Sequence, residues 1–184
     1  MIQKANKQNI ENISNLIVNA IDDIANTLTG EKEPEKVVKT LEKYIQMDIC
    51  RLSHNNIYTY TKEQKTVGIL IAYSSNDLET LDKPMLDELK SKGIFKDSFE
   101  KECFTNEFYL DTISVDEKFQ GQGIAKEFFA YFFDLAKEKG FKKTSLLVDY
   151  KKEKARNLYE KMGFCINDTL EVSGSKFYHM IKEI

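Results

Sequence analysis

The sequence predicts an α/β fold of the α+β kind: a single domain over residues 1–184 with a mixed, largely antiparallel central sheet flanked by helices. Three observations lead there. Apolar residues recurring at three and four positions alternate along the chain with short β-type runs. Two pairs of such runs, within 57–73 and 165–181, are separated only by short polar or glycine-containing turns and read as hairpins, hence antiparallel pairs. Residues 108–139 give a strand, a glycine turn and a helix in direct succession. The 184 residues, 41% hydrophobic and 31% charged, suit one soluble domain with its own core.

The elements follow in order. Ile10, Ile13, Leu16, Ile17, Ala20, Ile21 and Ile24 make one helical stripe, with Gly30 as its stop. Pro34 opens a second helix that carries Val37, Val38, Leu41, Tyr44 and Ile45 on one face. Ile57 to Thr61 and Val67 to Tyr73 are strands joined by the turn Lys62–Lys65. Residues from about 74 to 106 are the least regular, with Pro84, a short helix over 85–92 and a break at Gly93; a connection this long is usually functional or mobile. After the strand 108–115, Ile124, Phe128, Tyr131, Phe132 and Leu135 form a wide apolar helix face that reads as core. A strand over 144–148, a short helix over 152–162 capped by Gly163, and a terminal hairpin around Gly174 complete the chain.

The chemistry concentrates in Gln120-Gly121-Gln122-Gly123-Ile124-Ala125. Glycines let the backbone approach a ligand, and the first amides of the following helix have no intrahelical partner and sit at the positive end of its dipole. Such a turn binds an anion, most naturally a phosphate or pyrophosphate. No Gly-x4-Gly-Lys-[Ser/Thr] run is present, and the dinucleotide pattern Gly-x-Gly-x-x-Gly fails at its third glycine. The pattern [Gln/Arg]-x-x-Gly-x-[Gly/Ala] fits, as Gln120-x-x-Gly123-x-Ala125. Further on stands Ala155-Arg-Asn-Leu-Tyr-Glu-Lys-Met-Gly-Phe164. Both motifs, in this order and at this separation, resemble those of the GNAT superfamily of N-acetyltransferases. The resemblance is strong from about Tyr109 to Phe164 and loose elsewhere.

The resemblance implies direct acetyl transfer from acetyl-CoA, a cosubstrate, to a primary amine, with no metal. It implies that the loop amides of Gln120, Gly121, Gln122, Gly123, Ile124 and Ala125 hold the pyrophosphate. It implies that Ile113, Ser114 and Val115 pair their backbone with the pantetheine arm, and that an amide near Val115 stabilises the oxyanion. Tyr159, the tyrosine of the Ala-x-x-Leu-Tyr motif, becomes the general acid to the departing thiolate; a phenol stays protonated at neutral pH. Asp111 and Glu107 are the candidate bases, or anchors for a cationic substrate while water takes the proton. Strict alternation places both on one side of their strand, and a β-bulge would break that parity. Asp111 is preferred. One departure from the family pattern is Lys152, where an asparagine is usual. His54 and His179 read as structural.

Charge and length exclude other classes. A net charge of −3 leaves no footprint for nucleic acid, and no apolar run approaches a membrane span or a signal-peptide core. Three well-separated cysteines, Cys50, Cys103 and Cys165, suggest reduced thiols and a cytoplasmic protein rather than disulfides or a metal knuckle. The expected partner is a small-molecule amine acceptor, with a homodimer left open. Glu107, Asp111 and the acids of the 74–106 segment (Asp77, Glu79, Asp82, Asp87, Glu88) point to a cationic acceptor. Two other readings stand beside this one: acetylation of a protein or peptide amine, and a catalytically silent acyl-CoA-binding or sensor protein.

Overall fold

Val67-Gly-Ile-Leu-Ile-Ala-Tyr73 is apolar without alternation, which suits a strand covered on both faces. In the computed structural model, which describes residues 1–184, it lies within β3 (Lys65–Ser74), near the middle of one seven-stranded sheet. The other strands are β1 (Ile2–Lys4), β2 (Ile57–Lys62), β4 (Phe108–Val115), β5 (Lys143–Asp149), β6 (Cys165–Val172) and β7 (Ser175–Glu183), in spatial order β1-β2-β3-β4-β5-β7-β6. Every neighbouring pair is antiparallel except β4–β5. Both expected hairpins are present. Glu63 and Gln64 turn the first, Ser173 and Gly174 the second, all with positive φ.

The helices are α1 (Ile10–Ile21), α2 (Ile24–Thr29), α3 (Pro34–Gln46), α4 (Leu78–Ser91), α5 (Ile124–Glu138) and α6 (Glu153–Lys161). Alternation along β3 splits the core in two. Ile69, Ile71 and Tyr73 pack with Ile13 and Ile17 of α1, Leu41 and Tyr44 of α3 and Met85 of α4. Leu70 and Ala72 pack with Phe128, Phe129 and Phe132 of α5 and with Phe108 and Leu110 of β4. No helix is long and apolar enough to cross a membrane.

Two expectations change. The stripe read as one helix through Ile24 breaks at Asp22-Asp23: Asp22 takes φ 46° and bonds its amide back to the Val18 carbonyl. Aspartate is a weak helix former that favours turns, so the periodic isoleucines carry on across a corner. The short helix expected over 85–92 ends at Ser91 but starts earlier, at Leu78, giving the 14-residue α4 with Pro84 inside it. The apolar contacts of Met85 and Leu89 offset the backbone bond that proline gives up.

Candidate active site

The site is built around β4. Its pairing with β5 covers only Phe108–Thr144, Tyr109–Ser145 and Leu110–Leu146; beyond these the two strands part. A cavity of about 450 Å³ occupies the gap, with Asp111, Thr112 and Ile113 on one side and Leu147, Val148 and Asp149 on the other. The α1–α2 corner, residues around Asp22 and Asp23, forms one wall, and the β6–β7 turn forms another. On its other edge β4 carries a bulge. Thr112 stands opposite Ile71 and Leu110 opposite Ala72, which leaves Asp111 opposite no residue. The bulge resets the alternation: Leu110 packs on the α5 side, and so do Ile113 and Val115.

The glycine loop lies beyond the end of β4. Gly121 and Gly123 have φ 74° and 87°, and a Cβ on either would meet no protein atom within 4 Å. These glycines therefore serve backbone conformation and an open approach, not close internal packing. Gly123 caps α5. The amides of Gly121, Gln122, Gly123, Ile124 and Ala125 donate to no acceptor in the protein, whereas the Gln120 amide is taken by the Glu117 carbonyl at 3.3 Å. The expected set of six amides is thus five. Gln120 acts through its side chain, which donates to the Val115 carbonyl at 3.0 Å and ties the loop to the strand end. Gln122 accepts from Lys62 Nζ at 2.6 Å.

Tyr159 of α6 and Asp111 both line the cavity. The Tyr159 ring packs edge-on against Phe129 at 5.7 Å. Burial alone pushes its phenol up to about 12, so it holds its proton. Asp111 Oδ2 accepts from the Tyr73 hydroxyl at 2.5 Å and Oδ1 from Thr112 Oγ1 at 2.7 Å. Its carboxyl lies above the usual range, first through burial and then through repulsion by Glu102; Arg51, Tyr73 and Thr112 pull the other way.

The family model described as Acetyltransferase (GNAT) family matches residues 18–164 of this chain. The chain belongs to the GNAT acetyltransferase family. Among solved structures it resembles a protein described as an acetyltransferase, at 31% identity and TM-score 0.82, over 100% of this chain and 99% of that one. It also resembles an N-acetyltransferase from Staphylococcus aureus Mu50, at 25% identity and TM-score 0.81, over 99% and 100%. A PaiA N-acetyltransferase from Thermoplasma acidophilum, solved in complex with coenzyme A, shares the fold at 14% identity and TM-score 0.61, over 100% and 98%. No curated protein matches the chain.

Within this GNAT fold Glu107 is not at the cavity. It is 2% exposed at the start of β4, where its Oε2 accepts from the Phe104 amide at 2.9 Å and meets Nε2 of His179 at 3.0 Å. Two residues of β4 lie between it and the last position paired with β5, so it stays in the closed part of the sheet. His179, which has no partner visible in sequence, is therefore the other half of a buried pair. His54 bonds the Ile45 carbonyl through Nδ1 at 3.0 Å and is likewise structural.

The acids expected to wall the acceptor site do not line it either: Asp77, Glu79, Asp82, Asp87 and Glu88 are all absent from the cavity surface. Asp82 grips Arg51, and Glu88 pairs with Lys43 and Lys92. The cavity's acids are Asp22, Asp23, Glu102, Asp111 and Asp149. Arg51 and Glu102, which sequence reading missed, form its inner end. Arg51 is 3% exposed, bonded to Asp82 through Nε and Nη2 and to Glu102 through Nη1 at 2.7 Å; Tyr109 donates to Glu102 at 2.9 Å. One signal existed. All but two of the 27 basic residues are lysine, and an arginine amid lysines suits a planar two-acid grip.

Lys152, in place of the usual asparagine, begins α6 without a side-chain cap and reaches across the cavity to the Ala20 carbonyl and Asp22, both at 3.4 Å.

Proposed function

We propose that this GNAT protein transfers an acetyl group from acetyl-CoA to a primary amine of a small, cationic acceptor. One observation carries the reading: five consecutive amides, Gly121 to Ala125, are left without partners just past the end of β4, the strand that brings Asp111 to the cavity shared with Tyr159. Unpartnered amides at a helix start suit a pyrophosphate, and a strand edge released from its neighbour suits an extended amide-bearing arm. The coenzyme A held by the PaiA neighbour supports the same ligand class.

Acetyl-CoA supplies a thioester carbonyl open to attack by an amine. The loop amides hold its diphosphate, and the free edge of Ile113, Ser114 and Val115 fixes the arm that follows, a proximity effect. Asp111 stands where the acceptor's ammonium enters; it holds that cation and accepts its proton directly or through water. Tyr159 donates its hydroxyl proton to the departing sulfur. The charge of the acceptor follows from the lining. Of the five acids, Glu102 is engaged by Arg51 and Asp22 by Lys152, which leaves Asp23, Asp111 and Asp149 facing Lys151. Acids around a cavity draw cations to it.

The test is a thiol-release assay against a panel of amines, run beside calorimetric titration with acetyl-CoA. Acetyl-CoA is expected to bind in the micromolar range, about −8 kcal/mol. Turnover should be confined to cationic amines; a panel in which only neutral or anionic acceptors react overturns the acceptor class, and binding without turnover on any amine favours a silent binding protein. Gly123→Ala should weaken acetyl-CoA binding about 10-fold or more, because its Cβ enters the open face where the diphosphate is expected and its φ of 87° strains any side chain. A folded variant that binds as tightly as wild type refutes the loop assignment.

A further inference from the structure

Asp111 is the one residue of β4 that neither neighbouring strand pairs. It is the extra residue of the bulge, has no residue opposite on β3, and lies past the last position paired with β5. Neither ladder fixes it, yet a carboxylate that meets an acceptor must be held within a fraction of an ångström to be useful. Its fixation comes from side chains. Tyr73, 3% exposed on β3, places its hydroxyl 2.5 Å from Oδ2. Thr112, 4% exposed, places its hydroxyl 2.7 Å from Oδ1.

A carboxylate offers about four lone-pair directions. Two donors on different oxygens use two of them and stop rotation of the group, and each oxygen keeps one direction free. The Tyr73 ring is itself held, tilted at 59° against the Tyr109 ring with centroids 5.8 Å apart. Tyr109 in turn is anchored by its hydroxyl to Glu102, and Glu102 to Arg51. The chain of contacts runs from a rigid ion pair to the one acid on the bulge.

We propose that Tyr73 is a positioning residue for the acceptor site: from the neighbouring strand its hydroxyl fixes the Asp111 carboxylate and favours its charged form. The inference rests on the acceptor-side role given to Asp111 above. Tyr73 can only act as a donor here. Burial and the charge of Asp111 both push its phenol well above the ordinary value, so it does not ionise in the working range. The other groups that face Asp111 are Cys50 and Arg51 after α3, Glu102 and Cys103 before β4, and Tyr109 and Thr112 on β4. Arg51 and Thr112 support the charge of Asp111 and Glu102 opposes it, so Tyr73 is one of three groups that work against burial.

Tyr73→Phe keeps the ring and removes the donor. A neutral donor's bond to a carboxylate favours the ionised form, so its loss raises the Asp111 pKa; an effect of about one pH unit is expected. The midpoint is read directly from the carboxyl carbon resonance of Asp111 in the free protein, against wild type. On the best acceptor found, kcat/KM for that acceptor should fall on the order of 10-fold, while the acetyl-CoA Kd stays within about twofold, since the cofactor's diphosphate sits on the glycine loop. Asp111→Asn is measured alongside. An Asp111→Asn enzyme with wild-type turnover and acceptor KM removes the role of Asp111, and the Tyr73 proposal falls with it. An impaired Asp111→Asn enzyme beside a Tyr73→Phe enzyme with unmoved midpoint and unchanged kcat/KM overturns Tyr73 alone.

Discussion

Replacement of Tyr159 by phenylalanine is expected to lower kcat by about 10²–10⁴-fold, the usual worth of a positioned general acid, with little change in the acetyl-CoA Kd. The substitution is unusually clean here. Burial is the sole influence on the phenol, with no hydrogen bond or charge contributing, so removing the hydroxyl orphans no other group. The ring keeps its edge-on contacts with Phe129 and Phe164. A large fall in kcat without a change in thermal stability therefore separates chemistry from packing. The pH profile gives a second check. A free phenol loses its proton near pH 10. With the pKa raised to about 12, the acid form persists above that, and kcat should show no descending limb from Tyr159 below pH 10. A limb near pH 9–10 that vanishes in Tyr159→Phe contradicts this environment, and unchanged turnover with chemistry rate-limiting rejects the role.

Much of the fold was legible because its signals are local. Pro34 at a helix start, the turn at Lys62–Lys65 and Gly163 at a helix end each act through their own backbone geometry. The continuous apolar run of β3 announces a strand buried on both faces. The glycine turn was legible for the same reason, as a strand–turn–helix succession, whereas Tyr159 was singled out only through the resemblance of Ala155–Phe164 to the family's motif. The misses are long-range. Asp22-Asp23 is only a weak local signal that a stripe of isoleucines turns a corner there; the corner also depends on α2 packing against α3 and α4 and on the Tyr44 hydroxyl reaching the Leu28 carbonyl. The partnership of Arg51 with Asp82 and Glu102 joins residues 31 and 51 positions apart. The sequence offers two acids on one strand and alternation puts both on one side, so the preference for Asp111 over Glu107 rests on the family resemblance. Depth along the sheet separates them, because β4 leaves β5 between Glu107 and Asp111, and strand pairing across 36 residues is not written in either strand alone.

That separation has a measurable consequence. Glu107→Ala is expected to destabilise the fold by about 2–6 kcal/mol, since two donors at the buried carboxylate lose their acceptor at about 1–3 kcal/mol each. It would strand His179, which is fully buried, and the Phe104 amide. Against a total of about 5–15 kcal/mol this is a large fraction, so chemical denaturation at low temperature is the suitable measurement. The pH dependence has a definite sign. Burial pushes the Glu107 carboxyl up, but hydrogen bonds from His179 and the Phe104 amide outweigh it and hold the folded value below the ordinary 4.5. A depressed carboxylate contributes stability that is fully present above the unfolded value and lost as pH falls through the folded one. Wild type should therefore lose stability below about pH 4.5, and Glu107→Gln, which cannot titrate, should lose less over the same interval. Glu107→Gln should also retain kcat, because the acid lies in the closed part of the sheet. An inactive, fully stable Glu107→Gln protein would return Glu107 to the reaction and displace Asp111.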